Sequence, residues 1–191
     1  MTSSDDGTEF RNGALFPADA EHDLFAKTMI ALEERIDAEM GWGAQPCLFL
    51  LSADPDTKRV AAELLPPRRW GAVRPGQDPG ASLLAFARSL GGPTGFRARS
   101  FADSPDGRCG FAFLAEGFGA PRSGPGWAKP VAKRFVTAAD IGGRRYMVAR
   151  ERGELEARYV SVPGAAPENV EEVPTALWLL TAALVSGAFT L

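Results

Sequence analysis

The sequence predicts an α+β fold: a single domain whose mostly antiparallel sheet is packed against an N-terminal and a C-terminal helix. Three observations carry that prediction. Apolar residues near the start recur with a helical period, the run Cys47-Leu48-Phe49-Leu50-Leu51 is apolar without interruption, and the second half holds consecutive hairpin patterns. Consecutive hairpins make antiparallel neighbours, and a sheet with an apolar face needs helices laid over it. A chain of 191 residues, 45% hydrophobic and 24% charged, buries enough surface to fold as one body without metal or disulfide.

Residues 1–18 are polar and without period, and are expected as a flexible tail; 19–191 form the domain. Asp19 is placed to cap a first helix in which Phe25, Met29, Leu32, Ile36 and Met40 form an inward stripe before Gly41 stops it. That stripe assigns Glu33, Glu34, Asp37 and Glu39 to solvent. The apolar run from Cys47 is too short for a helix between Pro46 and Asp54-Pro55, so it reads as a strand covered on both faces. A short helix is expected over 56–65, ended by Pro66-Pro67, and a second starts from Asp78 as cap with Pro79 at its first position. In the long connection 91–107 the strand-like part is Phe96 to Phe101. Cys109 to Glu116 reads as a strand, and the segment GFGAPRSGPGWAKP that follows holds no regular element. Alternation over 131–138, 146–149 and 155–162, with turns at Asp140-Ile141-Gly142-Gly143 and Arg152-Gly153, predicts a three-stranded meander.

From Val173 to Leu191 no side chain is charged. Polar residues such as Thr181 and Ser186 dilute the stretch, no Lys or Arg flanks it, and Leu177, Leu180, Leu184 and Val185 share one helical face, so it reads as a core helix and not a membrane tail. The expected order is helix, buried strand, one or two helices, three or four strands and a final helix, loosely the layout of profilin-like and Roadblock-like modules, an analogy that carries no activity.

The net charge of −3 argues against a general attraction to nucleic acid or anionic membranes. Charge is unevenly spread: residues 1–60 hold 5 basic and 12 acidic side chains, whereas 61–160 hold 16 and 9. Cys47 and Cys109 lack a C-x-x-C partner and read as small buried hydrophobes, and the acidic opening lacks the pattern of a signal peptide, so a reducing, cytoplasmic location is expected.

Chemistry is sparsely written. His22 is the single histidine and is expected to be solvated, so no metal cluster of the histidine-rich kind is expected. No cofactor fingerprint occurs: Gly117-Phe118-Gly119 follows a strand, but prolines replace the helix that would face a pyrophosphate. Asp54-Pro55-Asp56 reads first as a helix start and only second as a cation site. Glu116 and Asp140 are the pair that a carboxylate site would use; the competing reading makes Glu116 a strand-end salt bridge to Arg134 or Arg150 and Asp140 a turn former. Arg97 and Arg99 interleave with Phe96 and Phe101 in a pattern that can stack bases, with Lys133, Arg134, Arg144, Arg145, Arg150, Arg152 and Arg158 on neighbouring strands. Trp127, in the Gly/Pro segment, suits an interface anchor or a lid.

The first helix leading into Gly41-Trp42-Gly43-Ala44-Gln45-Pro46, the strand ending in Glu116, the basic hairpin around Asp140 and Gly143, and Val173-Pro174-x-Ala176-Leu177 together resemble an uncharacterised family of small cytoplasmic proteins from high-GC Gram-positive bacteria. The resemblance spans most of 24–185, departs at 91–130, and implies no activity. The leading expectation is a non-enzymatic interaction module that binds a protein partner or a second copy of itself, with Trp127, Arg134, Arg150, Arg97 and Arg99 as binding residues. The alternatives are a small-molecule binder or weak hydrolase built on Glu116 and Asp140, and an accessory protein that contacts RNA or DNA.

Overall fold

The helical stripe at the start of the chain forms α1 (Ala18–Met40), and the uninterrupted apolar run forms β1 (Cys47–Asp54). The computed structural model describes residues 18–54, 56–57, 59–70, 77–91, 99–104, 106–119, 129–162 and 172–189. Residues 1–17 of the expected tail, together with Phe96, Arg97 and Trp127, lie outside the described residues, while Ala18, its last, belongs to α1. After β1 come β2 (Arg59–Leu65), the single turn α2 (Pro67–Trp70), α3 (Pro79–Ser89), β3 (Arg108–Gly119), β4 (Val131–Asp140), β5 (Arg145–Glu151), β6 (Arg158–Val162) and α4 (Glu172–Ser186). All six strands join one antiparallel sheet in the order β2-β1-β3-β4-β5-β6. Four strands follow α3: the strand expected from Cys109 and the three of the meander.

Both faces of the sheet are covered. Phe49, Leu51, Ala112, Leu114, Val136 and Ala138 meet Phe25, Met29, Leu32 and Ile36 of α1. Leu48, Leu50, Phe111 and Phe113 point the other way, onto Leu83 and Leu84 of α3 and Leu177 and Leu180 of α4. Period-two alternation sends successive residues of β1 and β3 into opposite cores, which is why both strands are apolar without interruption. The expected meander forms as β4, β5 and β6, and the Asp78 cap is present: its carboxylate accepts a hydrogen bond from the Gly80 amide at 2.9 Å.

Three expectations are corrected. The helix expected over 56–65 is strand β2, because the 54–57 turn folds the segment back onto β1 in unbroken register from Asp54 opposite Arg59 to Leu48 opposite Leu65. Pairing along a buried strand outweighs the helix preference of so short a segment. At Phe101 the chain enters a short 3-10 turn over Phe101–Asp103 instead of a strand, with the Phe101 ring against Phe25. Met40 is exposed, one turn beyond the covered part of the stripe. The last helix, α4, has 15 residues, and among the described residues no helix is long and apolar enough to cross a membrane.

Gly110 lies opposite Asp140 where β3 and β4 approach most closely, and a Cβ there would run into the backbone carbonyl of Ala139; at Gly117, seven residues along, the same atom meets open space. Gly110→Ala is therefore expected to lower stability by about 1–3 kcal/mol, and Gly117→Ala to change it by less than about 0.5 kcal/mol, in urea unfolding. Equal responses would contradict the close β3–β4 approach.

Candidate functional site

Strand alternation places Arg134 with Val136 and Ala138, and Arg150 with Tyr146 and Val148, on the face that α1 covers. The two arginines are direct cross-strand neighbours in β4 and β5, and both are buried. Like charges opposite each other repel and a buried guanidinium is costly unless paired, so this position requires carboxylates from above. α1 supplies them four residues apart on one face: Glu33, fully buried, and Asp37. Arg150 Nε donates to both Glu33 oxygens at 2.9 and 2.8 Å, and its Nη2 donates to Oε2 at 2.6 Å. Arg134 Nη1 donates to Asp37 at 3.0 Å and to Glu33 at 3.4 Å. The hydrogen bonds to Glu33 raise the Arg150 pKa against the opposing effect of burial, so this guanidinium stays charged.

Glu116 completes the cluster from β3. Its Oε1 accepts from Arg134 Nε at 3.1 Å and Nη2 at 2.9 Å, and its Oε2 accepts from the Gly43 amide at 2.8 Å. Arg134 Nη2 also donates to the Gly41 carbonyl, so one guanidinium ties the C-terminal end of α1 and the link after it to the sheet. Trp42, in that link, lies over the Arg134 guanidinium at 4.8 Å from the ring centre, and Arg152 lies 5.9 Å from the same ring, both within cation–π range. Trp42, Glu116, Phe118 and Arg152 line a hollow of about 280 Å³ above the cluster.

A second polar cluster lies under the N-terminal end of α1. Glu21, buried, accepts from the Arg144 guanidinium at 2.8 Å, the Ser100 hydroxyl at 2.7 Å and the Phe101 amide at 3.1 Å. Asp140 is fully buried: one oxygen accepts from the Tyr146 hydroxyl at 2.5 Å and the other from the Arg144 amide at 2.9 Å, closing the β4–β5 turn. Burial raises the Asp140 carboxyl above its ordinary range, against the pull of Tyr146 and Arg144 and with the Glu21 charge adding to the rise. Burial and then the Asp140 charge push the Tyr146 hydroxyl far above its usual range, and burial does the same to the Cys109 thiol, so neither supplies a ready nucleophile at neutral pH.

The sequence-predicted site residues are thus dispersed. Gly110 pairs with Asp140 and Glu116 with Arg134, which puts Asp140 and Glu116 six positions apart along the strands, about 20 Å, too far to share one substrate atom. Glu116 forms the salt bridge to Arg134 and Asp140 forms the turn, the competing reading of both. Arg134 and Arg150 are corrected from solvent-facing binding residues to interior ones, and Phe101, 3% exposed, presents no ring for base stacking. Arg99 is exposed; its amide donates to the Ile141 carbonyl at 2.7 Å, and its side chain borders a pocket of about 330 Å³ shared with Arg108, Leu184 and Phe189. His22 is corrected from solvated to half-buried, with Nε2 3.3 Å from the Tyr159 hydroxyl and its ring against Tyr146. The Asp54 carboxylate is taken up by the Asp56 and Thr57 amides of its turn.

Glu33 and Asp37 are the residues that sequence reasoning misplaced. The signal was present: Arg134 and Arg150 share strand parity with buried apolar residues, so their counter-charges had to come from the element covering that face. Comparisons of the chain with protein-family models, with curated proteins and with solved structures each find no match.

A carboxyl raised on folding holds its proton more tightly in the folded state. Its contribution to stability is complete below the ordinary value of 3.8 and is lost as pH rises through the raised one. Asp140→Asn lacks this titration, so wild-type stability relative to the variant is expected to fall as pH is raised from about 3 to about 7 in urea unfolding. A difference that stays flat or grows with pH would contradict the burial effect.

Proposed function

We propose that the chain is a non-enzymatic protein-interaction module, with the end of the sheet at which β1 begins as its presenting surface. One observation carries this reading. Three of the four large hydrophobic residues left exposed among the described residues, Met40, Phe118 and Leu155, lie at that end, with Phe118 at 79% and Leu155 at 93% exposure; the fourth, Leu64, is on β2, level with the middle of β3. The strand registers define the end: β1 begins opposite Leu114, β3 finishes where β4 begins, and β5 passes there into the turn that holds Leu155. Apolar groups concentrated at one end, with Trp42 and Arg152 beside Phe118, have the composition of an interface anchor.

The acids and arginines of the interior support the same reading from the other side. Glu33, Glu116 and Glu21 are held by arginine or amide donors and fix α1 and the link after it to the sheet, and Asp140 closes the β4–β5 turn. Cys47 and Cys109 are both unpaired, in keeping with work in a reducing compartment such as the cytoplasm.

The partner at this end is a protein surface with complementary apolar pockets, the simplest being a second copy. Sedimentation velocity over a wide concentration range, combined with capture from a lysate, is expected to show self-association or a specific partner. Either association should weaken about tenfold or more in Phe118→Ser and Leu155→Ser, whose exposed positions leave thermal unfolding unchanged. A strict monomer that captures nothing, or association indifferent to both substitutions, would overturn the proposal.

A further inference from the structure

The sheet has a second distinctive surface at its opposite edge. β2 is the outermost strand on one side, and among the described residues no strand pairs with its outer edge. Edge strands are commonly protected by a bulge, a proline or a short length. β2 has seven residues, no proline, and a register on β1 without a shift, whereas the other edge strand, β6, has five residues.

Beside this edge runs a groove of about 490 Å³ between α1 and β2. Leu24, Ala31 and Leu32 of α1 and Val60 and Ala62 of β2 give it an apolar floor. Lys27, Arg35 and Arg59 stand on its rim, all exposed, and no acid is among the described residues lining it.

Among the described residues the rim cations are without ion pairs, as Arg68 and Arg69 are elsewhere on the surface, but here three share one groove. Arg134, Arg144, Arg150, Arg108 and Lys133 each sit within an ion pair. Lys27, Arg35 and Arg59 have none among the described residues. Glu63, the acid of β2, does not line the groove. An occupant must therefore bring its own negative charge, match an apolar floor, and satisfy the outer backbone groups of β2.

We infer that the α1–β2 groove binds an acidic peptide of a partner protein in extended conformation, added as a further strand on the free edge of β2. A strand in that position points every second side chain at the groove, where apolar ones meet the floor and acidic ones reach Lys27 and Arg35 of α1, while the alternate set faces the side of β2 that carries Arg59. Main-chain bonds to β2 supply affinity, and acidic and apolar residues together in the groove-facing set supply selectivity. Nucleic acid would use the three cations but not the apolar floor or the strand edge, so the peptide is the occupant the groove favours. This surface is separate from the end that carries Phe118, and its partner class is independent of what binds there.

The probe is a fluorescent seven-residue peptide whose groove-facing alternate positions are glutamate, valine, leucine and glutamate and whose other positions are threonine, titrated with the full chain by anisotropy. Saturable binding is expected, weakened about tenfold or more by replacing the glutamates with lysine or by N-methylating alternate backbone amides. Hydrogen exchange of the β2 amides over 59–65 should slow when the peptide is bound. Lys27→Glu with Arg35→Glu should abolish binding while the thermal transition is retained, and Arg59→Gln should weaken it. Phe118→Ser should leave it unchanged, which separates failure here from failure of the proposed function. No binding at millimolar peptide, equal binding of the lysine peptide, or preferred binding of a single-stranded oligonucleotide of the same charge would each overturn the inference.

Discussion

Two arginines placed directly opposite each other on adjacent strands, beneath a helix, set the constraint on which the rest of the architecture depends. Arg134 and Arg150 repel across the β4–β5 ladder and are out of reach of water. Burial of such a pair is tolerable only with carboxylates in fixed positions, since each unpaired charge in the interior costs several kcal/mol. Glu33 and Asp37 of α1 and Glu116 of β3 meet that need. The helix is thereby set in rotation and in register: turning α1 by one residue would move both acids away from both guanidiniums and carry Leu32 and Ile36 off the apolar floor.

The same network determines what the molecule presents. Arg134 holds the Gly41 carbonyl, Glu116 holds the Gly43 amide, and Trp42 between them lies against the Arg134 guanidinium. The link between α1 and β1 is thus pinned beside the end of β3, where Phe118 projects. Glu21, bonded to Arg144 and to the Phe101 amide, fixes the other end of α1. Among the described residues the opposite face of the sheet has no comparable polar network; α3 and α4 cover it with apolar contacts dominated by Leu83, Leu177 and Leu180. One helix is positioned by charge and shape together, the other two chiefly by shape.

Much of this was legible in the sequence wherever a periodic apolar pattern decides a structure by itself. The stripe from Phe25 to Ile36, the doubly buried β1, the three-stranded meander and the Asp78 cap all follow from spacing and turn chemistry. What was hidden depends on partners distant in sequence. β2 is a strand because β1 offers it an edge, which its own alanines do not announce. Glu33 is interior because Arg150, 117 residues later, lies beneath it; its identity alone assigns it to solvent. The candidate site residues fared according to the same rule: Glu116 and Asp140 looked alike as lone acids near strand ends, and only the β3–β4 register shows them about 20 Å apart.

The central claim is that α1 is held by the Glu33–Arg150–Arg134 network and not by apolar contact alone. A double-mutant cycle on Glu33→Met and Arg150→Met, followed by urea unfolding, tests it most directly. Each single substitution leaves buried charge uncompensated and should cost about 3–5 kcal/mol, while the double should cost clearly less than the sum. Single losses below about 1 kcal/mol that simply add would show that the helix stays in place without the network, and would contradict the account.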